Sequence, residues 1–243
     1  MQKYKCQHHT ILLWKKPLSS DTQFSEIVQN TVDTLSLFYD LPEQYRPNFY
    51  TSNRKSSAKP FVLSCDEIAS YLQRKVLKVN YKECPELGVS LGLFSSMNDD
   101  SAFGYFMRIG VKDTPHGLMN TLTVNIALDY NMYDEESTRL IETLFEKSVA
   151  VFKPFWGAIV NNCAYNDDEP YMVNGLPTNV HWMNYWSDDI IDRIGLRKIK
   201  KVKKKFEQFD FDNGIIKLKS LPINANNVHE LEYQAEIKKL LLP

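Results

Sequence analysis

Three runs of alternating residues in the middle of the chain constrain its fold more than any other feature. Residues 88–94, 103–110 and 118–128 each read with a period of two; in the third, Leu122, Val124 and Ile126 are spaced by Thr123 and Asn125. That period sends successive side chains to opposite faces of a strand. The runs are separated by short polar stretches, so they predict an antiparallel meander with one face buried.

The segments around the meander change period. After Ser19-Ser20-Asp21, a possible helix start, Phe24, Ile27, Val28, Val32, Leu35 and Phe38 keep helical spacing. Ser64 with Glu67 three residues on is a capping box, and it opens a second helix carrying Ile68, Tyr71, Leu72 and Val76. Asp134-Glu135-Glu136 puts carboxylates at the start of a third helix, where the helix dipole favours them, and Pro154 ends it. Residues 10–14 and 156–160 read as further strands. Ser187 caps a short helix that Gly195 closes, and residues 228–242 form the last helix. Asp212-Asn213-Gly214, between two apolar runs, predicts a tight hairpin. The class is α+β: an antiparallel sheet of five to six strands with helices mainly on one face, plus a C-terminal hairpin and helix. One domain over 1–243 is expected, with 196–243 as a possible subregion.

Hydrophobic residues make up 43% of the chain, enough for a substantial core. The formal net charge of −1 conceals an asymmetry. Arg193, Arg197, Lys198, Lys200, Lys201, Lys203, Lys204 and Lys205 follow one another without an acid between them; with those eight set aside, the remainder carries −9. Such a distribution bears on association more than on fold. Cys6, Cys65, Cys84 and Cys163 form no C-x-x-C pair and read as four reduced thiols. No apolar run approaches bilayer length, and residues 11–14 are too short for a signal-peptide core, so a cytoplasmic location is expected.

No catalytic signature emerges. His8 and His9 are adjacent, so in a strand they point to opposite faces and cannot share one ion without a bend; His116, His181 and His229 lie in separate segments. Asp210-Phe211-Asp212-Asn213-Gly214 has its glycine at the fifth position, where a calcium loop needs it at the sixth. Phosphate-binding glycine motifs and G-x-S-x-G are absent. No cofactor, no metal and no enzymatic activity are expected. The lysine strip 198–205 spaces Ile199, Val202 and Phe206 helically and lacks the interleaved aromatics and arginines of nucleic-acid readers. Two other classes stay open at this level: a metal-dependent hydrolase or nuclease using surface carboxylates, and a nucleic-acid module using the strip.

The stretch 155–195 holds three of the four tryptophans beside acidic residues. That composition matches interface anchors inside a charged rim as well as it matches core. Phe155-Trp156-Gly157-Ala158, then His181-Trp182-Met183-Asn184-Tyr185, then Asp189-Ile190-Ile191-Asp192-Arg193-Ile194-Gly195 resemble the immunity protein 52 family of bacterial polymorphic toxin systems. The resemblance spans about residues 87–195; His181 stands where that family usually has glycine, and Trp186 where it has leucine. It implies an α+β protein that binds and neutralises a cognate secreted toxin, a nuclease effector among the possibilities, without catalysis of its own. The expected partner-binding residues are Asp167, Asp168, Glu169, Trp182, Tyr185, Trp186, Asp188 and Asp189. The expected partner is a protein toxin, with no membrane and no nucleic acid.

Overall fold

A computed structural model describes residues 8–51, 58–97, 100–112, 117–163 and 170–242. In chain order the elements are β1 (His9–Lys15), α1 (Phe24–Ser36), β2 (Phe49–Tyr50), α2 (Cys65–Arg74), β3 (Lys78–Val79), β4 (Lys82–Glu83), β5 (Leu87–Phe94), β6 (Gly104–Val111) and β7 (Asn120–Asn125). Then follow α3 (Glu135–Phe152), β8 (Trp156–Asn161), β9 (Met172–Val173), β10 (Leu176–Pro177), β11 (Met183–Trp186), α4 (Asp188–Ile194), α5 (Leu196–Lys205), β12 (Asp210–Asp212), β13 (Ile215–Lys217) and α6 (Val228–Leu241). The class is α+β, as the sequence predicts. Nine strands hydrogen-bond in the order β12-β13-β11-β8-β1-β7-β6-β5-β2, which corrects the expected five to six. The C-terminal hairpin joins the sheet instead of standing apart. Strands β2 and β11, of two and four residues, are too short to show a period. The β2–β5, β5–β6, β6–β7, β8–β11, β11–β13 and β12–β13 pairs are all antiparallel.

The chain divides into two compact units, one of residues 1–12, 130–146 and 155–243, the other of 13–129 and 147–154. The second unit contains the meander. Along β5 and β6, Leu91, Leu93, Tyr105 and Met107 are buried while Ser90 and Phe106 are exposed, so the period-two reading holds over 89–94 and 104–109; 88–89 and 109–111 are buried without a break. Helices α1 and α2 contribute Leu35, Ile68 and Leu72 to the same core, and the 3-10 turn after α1 (Leu37–Asp40) adds Phe38, all at 3% exposure or less. Each such side chain adds roughly 1.5–3 kcal/mol on burial. Helix α1 starts at Phe24, later than the serines that the sequence offers; Gln23 holds the cap position without a side-chain hydrogen bond. Helix α2 has the expected cap: the Ser64 hydroxyl accepts from the Glu67 N–H at 3.1 Å.

One place in the meander departs from regular geometry. Gly88 and Gly110 have φ of +72° and +76° and face each other between the pairs Leu87↔Val111 and Val89↔Ile109. A Cβ on Gly88 would stand 2.6 Å from the Ile109 carbonyl oxygen, so only glycine fits there.

In the first unit, β8 is buried along all six residues, and β11 lies between it and β13. A strand hydrogen-bonded on both edges and covered on both faces reads as a continuous apolar run. Asn213 and Gly214, at φ +47° and +80°, form the predicted tight turn between β12 and β13. Helix α5 buries Ile199 and Val202 and leaves its other residues outward. Among the described residues, no helix is long and apolar enough to cross a membrane.

Candidate functional site

The stretch 155–195 folds within the first unit. Strand β11 pairs with β8 so that Trp186 stands opposite Trp156, Tyr185 opposite Gly157 and Asn184 opposite Ala158. Both Trp156 and Trp186 are fully buried, and Trp182 is 2% exposed with its indole N–H donating to the Lys219 carbonyl at 3.0 Å. Trp182 and Trp186, expected to contact a partner, are therefore core residues.

The polar residues of the motif brace that core. The Asn184 carboxamide accepts from the His181 N–H at 2.9 Å and donates to the His181 carbonyl at 2.7 Å, closing a buried loop on itself. Burial pushes the His181 imidazole down to about 3, with the Lys238 charge adding to the effect, so the ring is neutral at physiological pH. Neutrality suits its place in the wall of the core better than a proton-transfer role.

Tyr185 is half-buried, and its phenol is held above its ordinary range by burial and then by the Asp188 charge. A Cβ on Gly214 would come within 3.0 Å of the Tyr185 ring, so the hairpin tip lies directly against it. Asp188 and Asp189 are exposed on the first turn of α4, where they complement the helix dipole. Of the expected site, Tyr185, Asp188 and Asp189 thus share one surface region. Asp167, Asp168 and Glu169 lie outside the described residues.

A hairpin that the sequence reading passed over completes this region. Strands β9 and β10 are joined by Asn174 and Gly175, at φ +52° and +72°. The Arg193 guanidinium of α4 donates to the Asn174 carbonyl at 2.7 Å, and a Cβ on Gly175 would fall 2.6 Å from its Nη1. The Asn-Gly dipeptide was the available signal; the flanking strands of two residues each hid it.

The lysine strip is partly engaged. Lys203 pairs with Asp210 at 2.6 Å, Lys205 pairs with Glu236, and the Lys198 ammonium donates to the Leu241 carbonyl at 2.8 Å. These contacts fasten α5 to its neighbours and leave Arg197, Lys200, Lys201 and Lys204 outward. Among the described residues, no group of three or more His, Cys, Asp or Glu side chains is placed to hold a metal ion. Cys65, Cys84 and Cys163 form no disulfide among the described residues, and Cys6 lies outside them.

No family model matches the chain. No curated protein sequence matches it either. The resemblance to immunity protein 52 therefore rests on the motifs alone. In three dimensions the chain is similar to T6SS protein PA0821 of Pseudomonas aeruginosa, with a TM-score of 0.62 over 97% of this chain and 73% of that one, at 11% identity. The two share a fold.

Proposed function

We propose that this protein is a cytoplasmic immunity protein that binds and neutralises a cognate secreted toxin, a nuclease effector, by stoichiometric protein–protein inhibition. The observation that carries the reading is the fold shared along nearly the whole chain with a T6SS protein; the W-G strand and the His181–Tyr185 motif point the same way. In this reading the protein has no catalytic activity, takes no cofactor, and binds neither membrane nor nucleic acid. A nuclease presents a cationic cleft to phosphates. A body carrying −9 outside the basic run 193–205 offers carboxylates to such a cleft, which speeds encounter and competes with substrate. Asp188 and Asp189 are exposed where they can meet it, with Tyr185 beside them.

The test is co-expression with the C-terminal domain of a secreted toxin, sought first in the genes that flank this one. The expected result is a 1:1 complex in which toxin activity is lost. Asp188→Lys with Asp189→Lys should weaken capture and steepen its dependence on salt. Absence of any complex with the wild-type chain overturns the reading.

A further inference from the structure

The meander turns Leu91, Leu93, Tyr105 and Met107 to the core, and its opposite face carries a groove. The groove has a volume of about 640 Å³ and is lined by Trp14, Tyr71, Phe106, Arg108, Leu118 and Met119 among others, all within the second unit. That lies inside the about 300–1,000 Å³ usual for small-molecule sites. The pleat fixes its floor. Arg108 stands opposite Ser90 on β5 and Thr121 on β7, and Phe106, two residues earlier, projects from the same face. A sheet face turned to water ordinarily presents polar side chains. Ser90, Thr121 and Thr123 follow that rule, whereas Phe106 breaks it at 42% exposure.

The walls are held in place. The Tyr71 hydroxyl donates to the Ser90 carbonyl at 3.1 Å, and its ring stacks on Tyr50 with centroids 5.2 Å apart and planes 6° from parallel. The Thr51 side chain lies over Gly92, where a Cβ would come 2.6 Å from its hydroxyl oxygen. Trp14, Leu118 and Met119, all half-buried, add apolar surface. Walls fixed before a ligand arrives lower the ordering cost of binding it.

Arg108 sets the charge of the occupant. It is half-buried in the floor, and it makes no hydrogen bond or ion pair among the described residues. Its guanidinium is a planar fork of N–H donors that matches the two oxygens of a carboxylate. No acid and no second cation stands among the described lining residues. Lys59, Arg74 and Lys75 line a different hollow together with Glu67, and it shares only Thr51 and Tyr71 with this one. One cation without an acid suits a single negative charge. A phosphate monoester, at about −1.5 to −2, is a poorer match than a carboxylate.

We infer that this groove binds a small planar aromatic carboxylate, its ring against Trp14 and Phe106 and its carboxylate on the Arg108 guanidinium. The site goes beyond the toxin reading, since it uses neither Tyr185 nor the Asp188–Asp189 pair, which belong to the other unit.

Heteronuclear NMR of the isotope-labelled full chain, titrated with naphthoate, tests the site. The Trp14 indole resonance, identified by its loss in Trp14→Phe, is expected to shift saturably with a dissociation constant below about 1 mM. Naphthamide keeps the rings and loses the charge, and it should bind at least about tenfold more weakly. Cyclohexanecarboxylate keeps the charge and loses the flat ring, and a similar loss is expected. Arg108→Gln should weaken naphthoate binding at least about tenfold and leave the melting temperature unchanged, because that side chain has no partner to lose. Should it lower the melting temperature, Phe106→Thr, at an exposed position, carries the comparison. Equal binding of naphthamide, tighter binding of naphthyl phosphate, undiminished binding by Arg108→Gln, or no saturation would each overturn the proposal. So would a dimer in sedimentation velocity that Phe106→Thr dissolves, which would make this face a contact between copies. Naphthoate binding without toxin capture refutes only the immunity reading, and toxin capture without naphthoate binding refutes only this site.

Discussion

The Asn184 carboxamide holds the backbone of His181 from both sides, accepting from its N–H and donating to its carbonyl, in a fully buried setting. Leucine at 184 would keep the volume and remove both bonds, leaving two buried backbone groups without partners. At roughly 1–3 kcal/mol for each unsatisfied group, Asn184→Leu is expected to cost about 2–5 kcal/mol in urea unfolding. A loss below about 1 kcal/mol would show that the loop finds other partners.

His181 itself predicts a pH dependence. Its folded value of about 3 lies below the unfolded value of 6.5, so the unfolded chain binds the extra proton between those limits. Stability from this group is complete above pH 6.5 and is lost as pH falls toward 3, at up to about 1.4 kcal/mol per unit. Carboxylates titrate in the lower half of that window. The comparison is therefore between wild type and His181→Gln at pH 7.0 and 5.0, and the variant should show the flatter slope.

The buried indoles separate by their hydrogen bonds. Trp182 donates to the Lys219 carbonyl, whereas the Trp186 N–H has no hydrogen-bond partner among the described residues. Trp182→Phe and Trp186→Phe remove similar apolar area, so the first is expected to destabilise more, by about 1 kcal/mol. Equal losses on thermal or urea unfolding would argue that packing alone governs both positions.

Tyr81, in the turn between β3 and β4, is fully exposed with a left-handed backbone at φ +65°. A left-handed backbone costs a non-glycine residue roughly 1–2 kcal/mol, part of which glycine gives back through its freer unfolded chain. Tyr81→Gly should raise stability by about 0.5–1 kcal/mol in urea unfolding. A variant that is less stable than wild type would mean that the exposed ring packs on the hairpin.

Much of this architecture is legible in the sequence, for identifiable reasons. Residues 88–128 alternate because only one face of β5, β6 and β7 meets the core, and the Ser64–Glu67 box marks α2 because the cap is local chemistry. Strand β11 escaped notice because Met183–Trp186 is four residues long and buried at all but half-buried Tyr185, which erases any period. The same fact misled the reading of the site. Composition cannot distinguish a tryptophan that anchors a partner from one enclosed by its own neighbours, and only the register with β8 and β13 decides it. The irregular place at Gly88 was invisible for a different reason. It arises where Gly88 and Gly110, separate in the chain, meet across β5 and β6.

Strand β1 is made before every other strand of its sheet, yet its hydrogen-bonding neighbours there are β7 and β8. Until the ribosome has delivered residues 120–125, and later 156–161, a strand rich in Ile11, Leu12, Leu13 and Trp14 has both edges bare. An unpaired apolar strand recruits whatever edge it meets, so the nascent chain passes through a stage at which aggregation competes with folding. Expression temperature and chaperone supply should therefore govern the soluble yield of this protein more strongly than its final stability does.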